Sequence, residues 1–173
     1  KCSSPGERID RVTDKLGEAI NKFGKRVLLI YGGGSIKRNG VYEKVIKQLK
    51  AANAEIFEYK GIKPNPVAED ADAAAEIGRI KNVDVILAVG GGSVIDSAKV
   101  ISVIIPENVK SWDFYKGNFK PESSIPLICV LTLAATGTEM NPFAVLQNNK
   151  LQLKLGKGHK LMYPKHSFLD PSF

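Results

Sequence analysis

Cysteine is almost missing from this chain of 173 residues: only Cys2 and Cys129 occur, and Cys129 lies inside the apolar run IPLICVLTL. Two isolated thiols exclude a disulfide framework and a thiolate metal site, and Cys129 reads as a small buried hydrophobe. Long hydrophobic runs are lacking as well. None approaches the roughly 20 residues needed to cross a bilayer, and the opening KCSSPGERIDRV has no apolar core of a secretory signal. The expectation is a cytoplasmic protein with no membrane partner. Signatures of nucleic-acid binding are also absent. The net charge is +7, but the lysines are scattered, with no RGG tract, no zinc-finger spacing and no basic stripe interleaved with aromatics. Such a surface attracts anionic small ligands, and no nucleic-acid partner is expected. Low-complexity tracts and solenoid repeats do not occur.

What is present is an ordinary globular balance, 43% hydrophobic and 25% charged, in a length that suits one domain with a sizeable core. Apolar residues recur at helical spacing in 9–23, 41–53, 67–82 and 94–105. Gly24 fits the end of the first of these helices. Short apolar runs of strand length lie at 26–31, 54–59, 83–89 and 125–133. The segment 61–66 is a turn with two prolines, and 106–124 reads as a loop that breaks the rhythm. Residues 144–155 read as a β-hairpin turning at Asn148-Asn149, and HSFLDPSF as a short strand with a turn. Strands alternating with helices predict an α/β fold, a mainly parallel sheet with helices on both faces. Ligands of such sheets bind beyond the carboxyl ends of the strands.

Two glycine-rich turns fall on that rim. LAVGGGSVIDSAK, 87–99, passes from a buried strand to a helix through three glycines and a serine. LLIYGGGSIKRNG, 28–40, does nearly the same. Glycine lets a ligand approach the backbone and bares the free N–H groups of a helix start, which with the helix dipole form an anion site. Ser93 is placed to cap the helix or bind a phosphate oxygen, and Asp96 to sit in the first turn or face a ligand hydroxyl or ammonium. Neither turn completes G-x-G-x-x-G, since Ile95 and Lys37 stand at the last glycine, and neither is a P-loop. A third rim element, TLAATGTEMN at 132–141, offers Thr132, Thr136, Thr138, Glu139 and Asn141. A hydroxyl-rich loop beside two anion sites suits a sugar–phosphate ligand; a plain polar loop is the alternative.

YGGGSIKRNGVYEKV, PNP, DVILAVGGGSVIDSAK, IPLICVLTLAATGTEMN and YPKHSFLDP together resemble the iron-containing alcohol dehydrogenases, in particular their butanol-dehydrogenase-like branch. The resemblance covers 26–173. It implies a Rossmann-like dinucleotide-binding domain over 26–173, preceded by a divergent segment and helix over 1–25. The family's helical C-terminal domain, absent from this sequence, carries the ligands of a divalent metal, iron or zinc. That set is one Asp and three His beyond LDP, so this chain is expected to hold no metal. His159 and His166 match no ligand position, and Asp170 matches a structural turn. The implied reaction is hydride transfer between NAD or NADP and a small primary alcohol or aldehyde. The chain alone is expected to be inactive.

By the same resemblance Gly91, Gly92 and Ser93 hold the pyrophosphate, and Asp96 borders the nicotinamide ribose and the reaction site as the candidate catalytic residue. Thr132 and Thr136 line the adenosine side with Asn141 nearby. Lys154 reaches the ribose hydroxyls, Asn65 of PNP lies by the cofactor cleft, and Phe173 falls where relatives carry an aromatic residue. Relatives that prefer NAD often have an aspartate after the first strand. Gly33, Gly34 and Ser35 occupy that region here, which implies that NADP is accepted at least as well as NAD. Two alternatives stay open: a truncated, non-catalytic dinucleotide-binding module, and a relative of the glycerol dehydrogenases or dehydroquinate synthases. A missing first strand and an uncovered apolar face lead to the expectation of a homo-oligomer.

Overall fold

Alternating strands and helices appear in the computed structural model, which describes residues 15–133 and 137–169. The chain runs α1 (Leu16–Asn21), β1 (Arg26–Tyr31), α2 (Ser35–Arg38), α3 (Val41–Ala51), β2 (Glu55–Lys60) and α4 (Ala68–Ile80). It continues through β3 (Val85–Gly90), α5 (Gly92–Glu107), α6 (Ser111–Lys116) and β4 (Leu127–Leu131). A 3₁₀ turn (Thr138–Met140), the hairpin β5 (Phe143–Asn148) and β6 (Leu153–Gly158), a second 3₁₀ turn (Lys160–Met162) and β7 (His166–Leu169) complete it. The larger sheet is parallel throughout, in the order β2-β1-β3-β4-β7, and the hairpin forms a separate two-stranded sheet.

The strand pattern explains the two layers. In β1, Leu28 and Ile30 face one way while Val27, Leu29 and Tyr31 face the other, and β3 and β4 repeat the alternation. One face packs α4, α5, α6 and the inner side of the hairpin; the opposite face packs α1 and α3. Buried on both faces, β1, β3 and β4 read as continuous apolar runs, as parallel strands do. No helix among the described residues is long and apolar enough to cross a membrane.

Strand order reverses between β1 and β3, which are neighbours with Tyr31 opposite Val89. That reversal opens a crevice at the carboxyl ends of these two strands. The two glycine turns leave from those ends, so the fold sets them side by side.

Four expectations are corrected. The run 94–105 was expected to stop before Pro106, yet α5 extends to Glu107. Proline frees the carbonyl of Ser102, and the N–H of Ile125 takes it up at 2.9 Å. The loop 106–124 contains α6, whose start is held by Asp72 accepting from the Ser111 N–H at 2.7 Å and whose Trp112, Phe114 and Tyr115 are buried. Six residues show no readable period, and the cap comes from another helix. The hairpin turns over Asn149–Gln152, with Asn148 opposite Leu153, rather than at Asn148-Asn149. In α5 the cap is Gly91, so Ser93 lies inside the first turn and Asp96 just beyond it. The N-terminal part of the expected helix 9–23 lies outside the described residues, as do Thr136, Asp170 and Phe173.

Candidate functional site

A cleft of about 310 Å³ opens at the reversal point, lined by Asn65, Pro66, Gly92, Ser93, Asp96, Val145 and Lys154. Asn65, Gly92, Ser93, Asp96 and Lys154 come from three separate stretches of sequence that were expected to share one site, and the fold brings them together. The volume is at the lower end of ligand sites. A second hollow of about 480 Å³ lies among Gly78, Asn82, Val83, Ile105 and Asn108. It sits at the amino ends of the strands, where open α/β sheets do not place their ligands.

One wall of the cleft is the start of α5. The N–H groups of Val94 and Ile95 both bond the Gly91 carbonyl, at 3.1 and 3.2 Å. Those of Gly92 and Ser93 precede these bonds, so they are the orphan donors of a helix start. A 16-residue helix aims its positive dipole end at the same point. The opposite wall is the hairpin, where the Lys154 ammonium donates to Asn65 Oδ1 at 2.9 Å across the mouth. Asn65 has φ of +60°, a conformation that asparagine tolerates. Its loop is pinned to the hairpin by the Gln147 N–H on the Pro66 carbonyl at 2.8 Å.

The glycines divide by what a side chain would meet. A Cβ on Gly90 would lie 2.7 Å from Val94 Cγ2, and one on Gly32 3.2 Å from the Ile62 carbonyl. The fold requires glycine at Gly90 and leaves little room for a side chain at Gly32. Among the described residues a Cβ on Gly91 meets only Leu133 Cβ, at 3.8 Å, and one on Gly33 meets nothing within 4 Å. Neither has a positive φ. Among the described residues nothing therefore crowds a side chain at Gly91 or Gly33, and open space lies in front of both. Gly34 is the cap of α2 and Ser35 its first residue, both exposed on the same rim. Thr132 follows β4, its N–H on the Gly90 carbonyl at 3.1 Å.

Asp96 and Asn141 make bonds that their sequence did not announce. Asp96 Oδ1 accepts from the Thr138 hydroxyl at 2.6 Å and Oδ2 from the Val145 N–H at 2.9 Å. A carboxylate has about four acceptor positions, so it still has capacity towards the cleft. Asn141 Oδ1 accepts from Phe143 N–H, and its Nδ2 donates to the Gly137 carbonyl. Its amide braces the segment leading into β5 and does not line the cleft. Sequence reading missed Lys99 altogether. It is fully buried, and its ammonium donates to Thr138 Oγ1 (2.6 Å), the Phe143 carbonyl (2.7 Å) and Asn141 Oδ1 (3.2 Å). The one available signal was a lysine three residues after Asp96 within an apolar helix.

Burial pulls the Lys99 ammonium down from 10.5 to about 8, against the opposing pull of Asp96. An unfolded lysine keeps its proton to about pH 10.5, so above pH 8 the unfolded state binds more protons and stability rises with pH. Burial pushes the Cys129 thiol up to about 12, which lowers stability only as pH passes its unfolded value of 9.0. The unfolding free energy, read from urea titrations, is therefore expected to increase from pH 7 to pH 9 by on the order of 1 kcal/mol. Lys99→Met should abolish the rise.

Among the described residues no three His, Cys, Asp or Glu side chains converge on a point where a metal ion could sit.

Comparison with known proteins agrees with this geometry. The model of the iron-containing alcohol dehydrogenase family matches residues 10–171. NADH-dependent butanol dehydrogenase A of Clostridium acetobutylicum is 46% identical over 160 residues, which cover 92% of this chain and 41% of that protein. NADPH-dependent aldehyde reductase YqhD of Escherichia coli is 40% identical over 151 residues, covering 86% of this chain and 38% of that one. The crystal structure of NADH-dependent butanol dehydrogenase A from Thermotoga maritima superimposes with a TM-score of 0.89 at 45% identity, over 92% of this chain and 40% of that chain. The chain thus spans about two fifths of the length of these relatives. With a family match along nearly its whole length and the matching parallel sheet, this chain belongs to the iron-containing alcohol dehydrogenase family.

Proposed function

We propose that this chain is the dinucleotide-binding part of an NAD(P)-dependent alcohol dehydrogenase or aldehyde reductase acting on a small primary alcohol or aldehyde. The observation that carries the reading is the pair Gly91 and Gly33, bare of side chains where none of the described residues forbids one. The pyrophosphate lies against the N–H groups of Gly92 and Ser93, where the α5 dipole favours negative charge. Lys154 and Asn65 meet the adjoining ribose, Thr132 lies towards the adenosine, and Asp96 borders the nicotinamide side. Bound there, the nicotinamide supplies or accepts the hydride. The described residues do not fit a metal, and no step is assigned to one. Support for the substrate class comes from relatives named butanol dehydrogenase and aldehyde reductase.

For the cofactor we propose that NADP is accepted at least as well as NAD. No carboxylate stands at 33–35 to repel a 2′-phosphate, and Ser35 is exposed to donate to one. Lys37 lies over the rings of Tyr42 and Tyr31, 4.5 and 5.6 Å from their centroids, which stations a cation beside this turn. Relatives named for NADH and for NADPH both occur at similar identity. Calorimetric titration of the chain with each cofactor tests both proposals. Binding of NADP with a Kd no weaker than that of NAD is expected. Binding of NAD alone refutes the preference, and binding of neither refutes the site.

A further inference from the structure

A buried ammonium is costly unless each of its protons is bonded. Lys99 meets that condition without touching a carboxylate, since its three partners are a hydroxyl, an amide oxygen and a backbone carbonyl. The Thr138 hydroxyl has one proton. Because its oxygen accepts from Lys99, that proton goes to Asp96 Oδ1. The other Asp96 oxygen takes the Val145 N–H. An ordered relay results, from ammonium to hydroxyl to carboxylate, ending on a side chain that lines the cleft. Lys99 and Asp96, three residues apart on α5, thereby clip the segment 138–145 that leads into the wall bearing Lys154.

We propose that Lys99 is a positioning residue for the dinucleotide cleft, fixing the Asp96 carboxylate through Thr138 while protonated and releasing it when the proton is lost. This rests on the dinucleotide reading above. A neutral amine keeps two protons and gains a lone pair. Three acceptors then share two donors, and the Thr138 proton can turn from Asp96 to the Lys99 nitrogen. Burial places this change near pH 8. The titratable groups facing the relay are Asp96 on α5, Glu139 in the 3₁₀ turn, Cys129 on β4 and Tyr115 on α6. Cys129 and Tyr115 are both pushed upward by burial, so they stay protonated while Lys99 titrates.

The test is calorimetric titration of the chain with NADP⁺ from pH 7 to pH 9.2, for wild type, Lys99→Met and Thr138→Val, alongside hydrogen exchange at the Val145 amide. In wild type, Kd is expected to weaken at least threefold about a midpoint near pH 8, and Val145 protection to fall over the same range. Both variants should bind weakly, protect Val145 poorly, and show no dependence on pH. A purely architectural Lys99 would give a weak variant but a flat wild-type profile, which overturns the proposal. So does a Lys99→Met protein that keeps the alkaline weakening. If Lys99→Met fails to fold, Thr138→Val supplies the same comparison. If no NADP⁺ binds at any pH, the dinucleotide reading fails, and unchanged Val145 protection in wild type between pH 7 and 9.2 then overturns the relay by itself.

Discussion

Gly91→Asp is expected to weaken dinucleotide binding at least a hundredfold without lowering the melting temperature. Gly91 is the cap of α5, in extended backbone that any residue adopts, and among the described residues its Cβ would meet only Leu133 Cβ at 3.8 Å. Aspartate is among the preferred residues at a helix cap and exceeds glycine there by a few tenths of a kcal/mol. Its charge at the helix start adds about 0.3–1 kcal/mol. The free protein should be as stable as wild type or slightly more so. The same carboxylate occupies the pyrophosphate cradle and repels its charge. At about 4 Å and an effective dielectric near 20, one like-charge contact costs about 4 kcal/mol, more than the roughly 2.7 kcal/mol of a hundredfold loss. A melting curve and a titration on one sample check both halves. A destabilised variant would mean that Gly91 serves the fold, and the binding argument would lose its main support.

The neighbouring substitution should do the reverse. Gly90→Ala is expected to destabilise the protein by about 3 kcal/mol, read as a lower urea midpoint. Gly90 has φ of +159°, and a Cβ would lie 2.7 Å from Val94 Cγ2 and 3.0 Å from Val94 Cβ. Val94 is buried in the first turn of α5. Relief requires the start of the helix to move off the end of β3. Two adjacent glycines would then separate the requirements of fold and ligand, Gly90 answering to Val94 and Gly91 to the space in front of the helix. A stable Gly90→Ala protein would show that this turn relaxes freely.

These contrasts also mark what the sequence could reveal. The strands were legible because β1, β3 and β4 are apolar on both faces, and the helices α3, α4 and α5 because their apolar spacing persists over three or more turns. The rim followed from the strand-to-helix order alone. What stayed hidden depends on tertiary partners. Helix α6 is started by Asp72 from α4, and α5 runs through Pro106 because Ile125 takes the freed carbonyl. Ser93 and Asp96 were displaced by a two-residue difference in where α5 begins, which changes which group caps and which faces the hairpin. Lys99 was invisible for another reason. A lysine in a helix is ordinarily a solvated residue, and only the packing of 138–145 against α5 turns it into a buried donor.

The central claim is that the rim formed by 32–35, 90–93 and Lys154 binds a dinucleotide. Amide chemical-shift mapping of the chain during titration with NADP⁺ tests it most directly. The account predicts that the largest shifts fall on Gly91, Gly92 and Ser93, with smaller ones at Gly33, Ser35 and Lys154, and that Gly91→Asp removes them. Shifts clustered instead around Gly78, Asn82 and Asn108, at the amino ends of the strands, would contradict it, as would a spectrum that saturating NADP⁺ leaves unchanged.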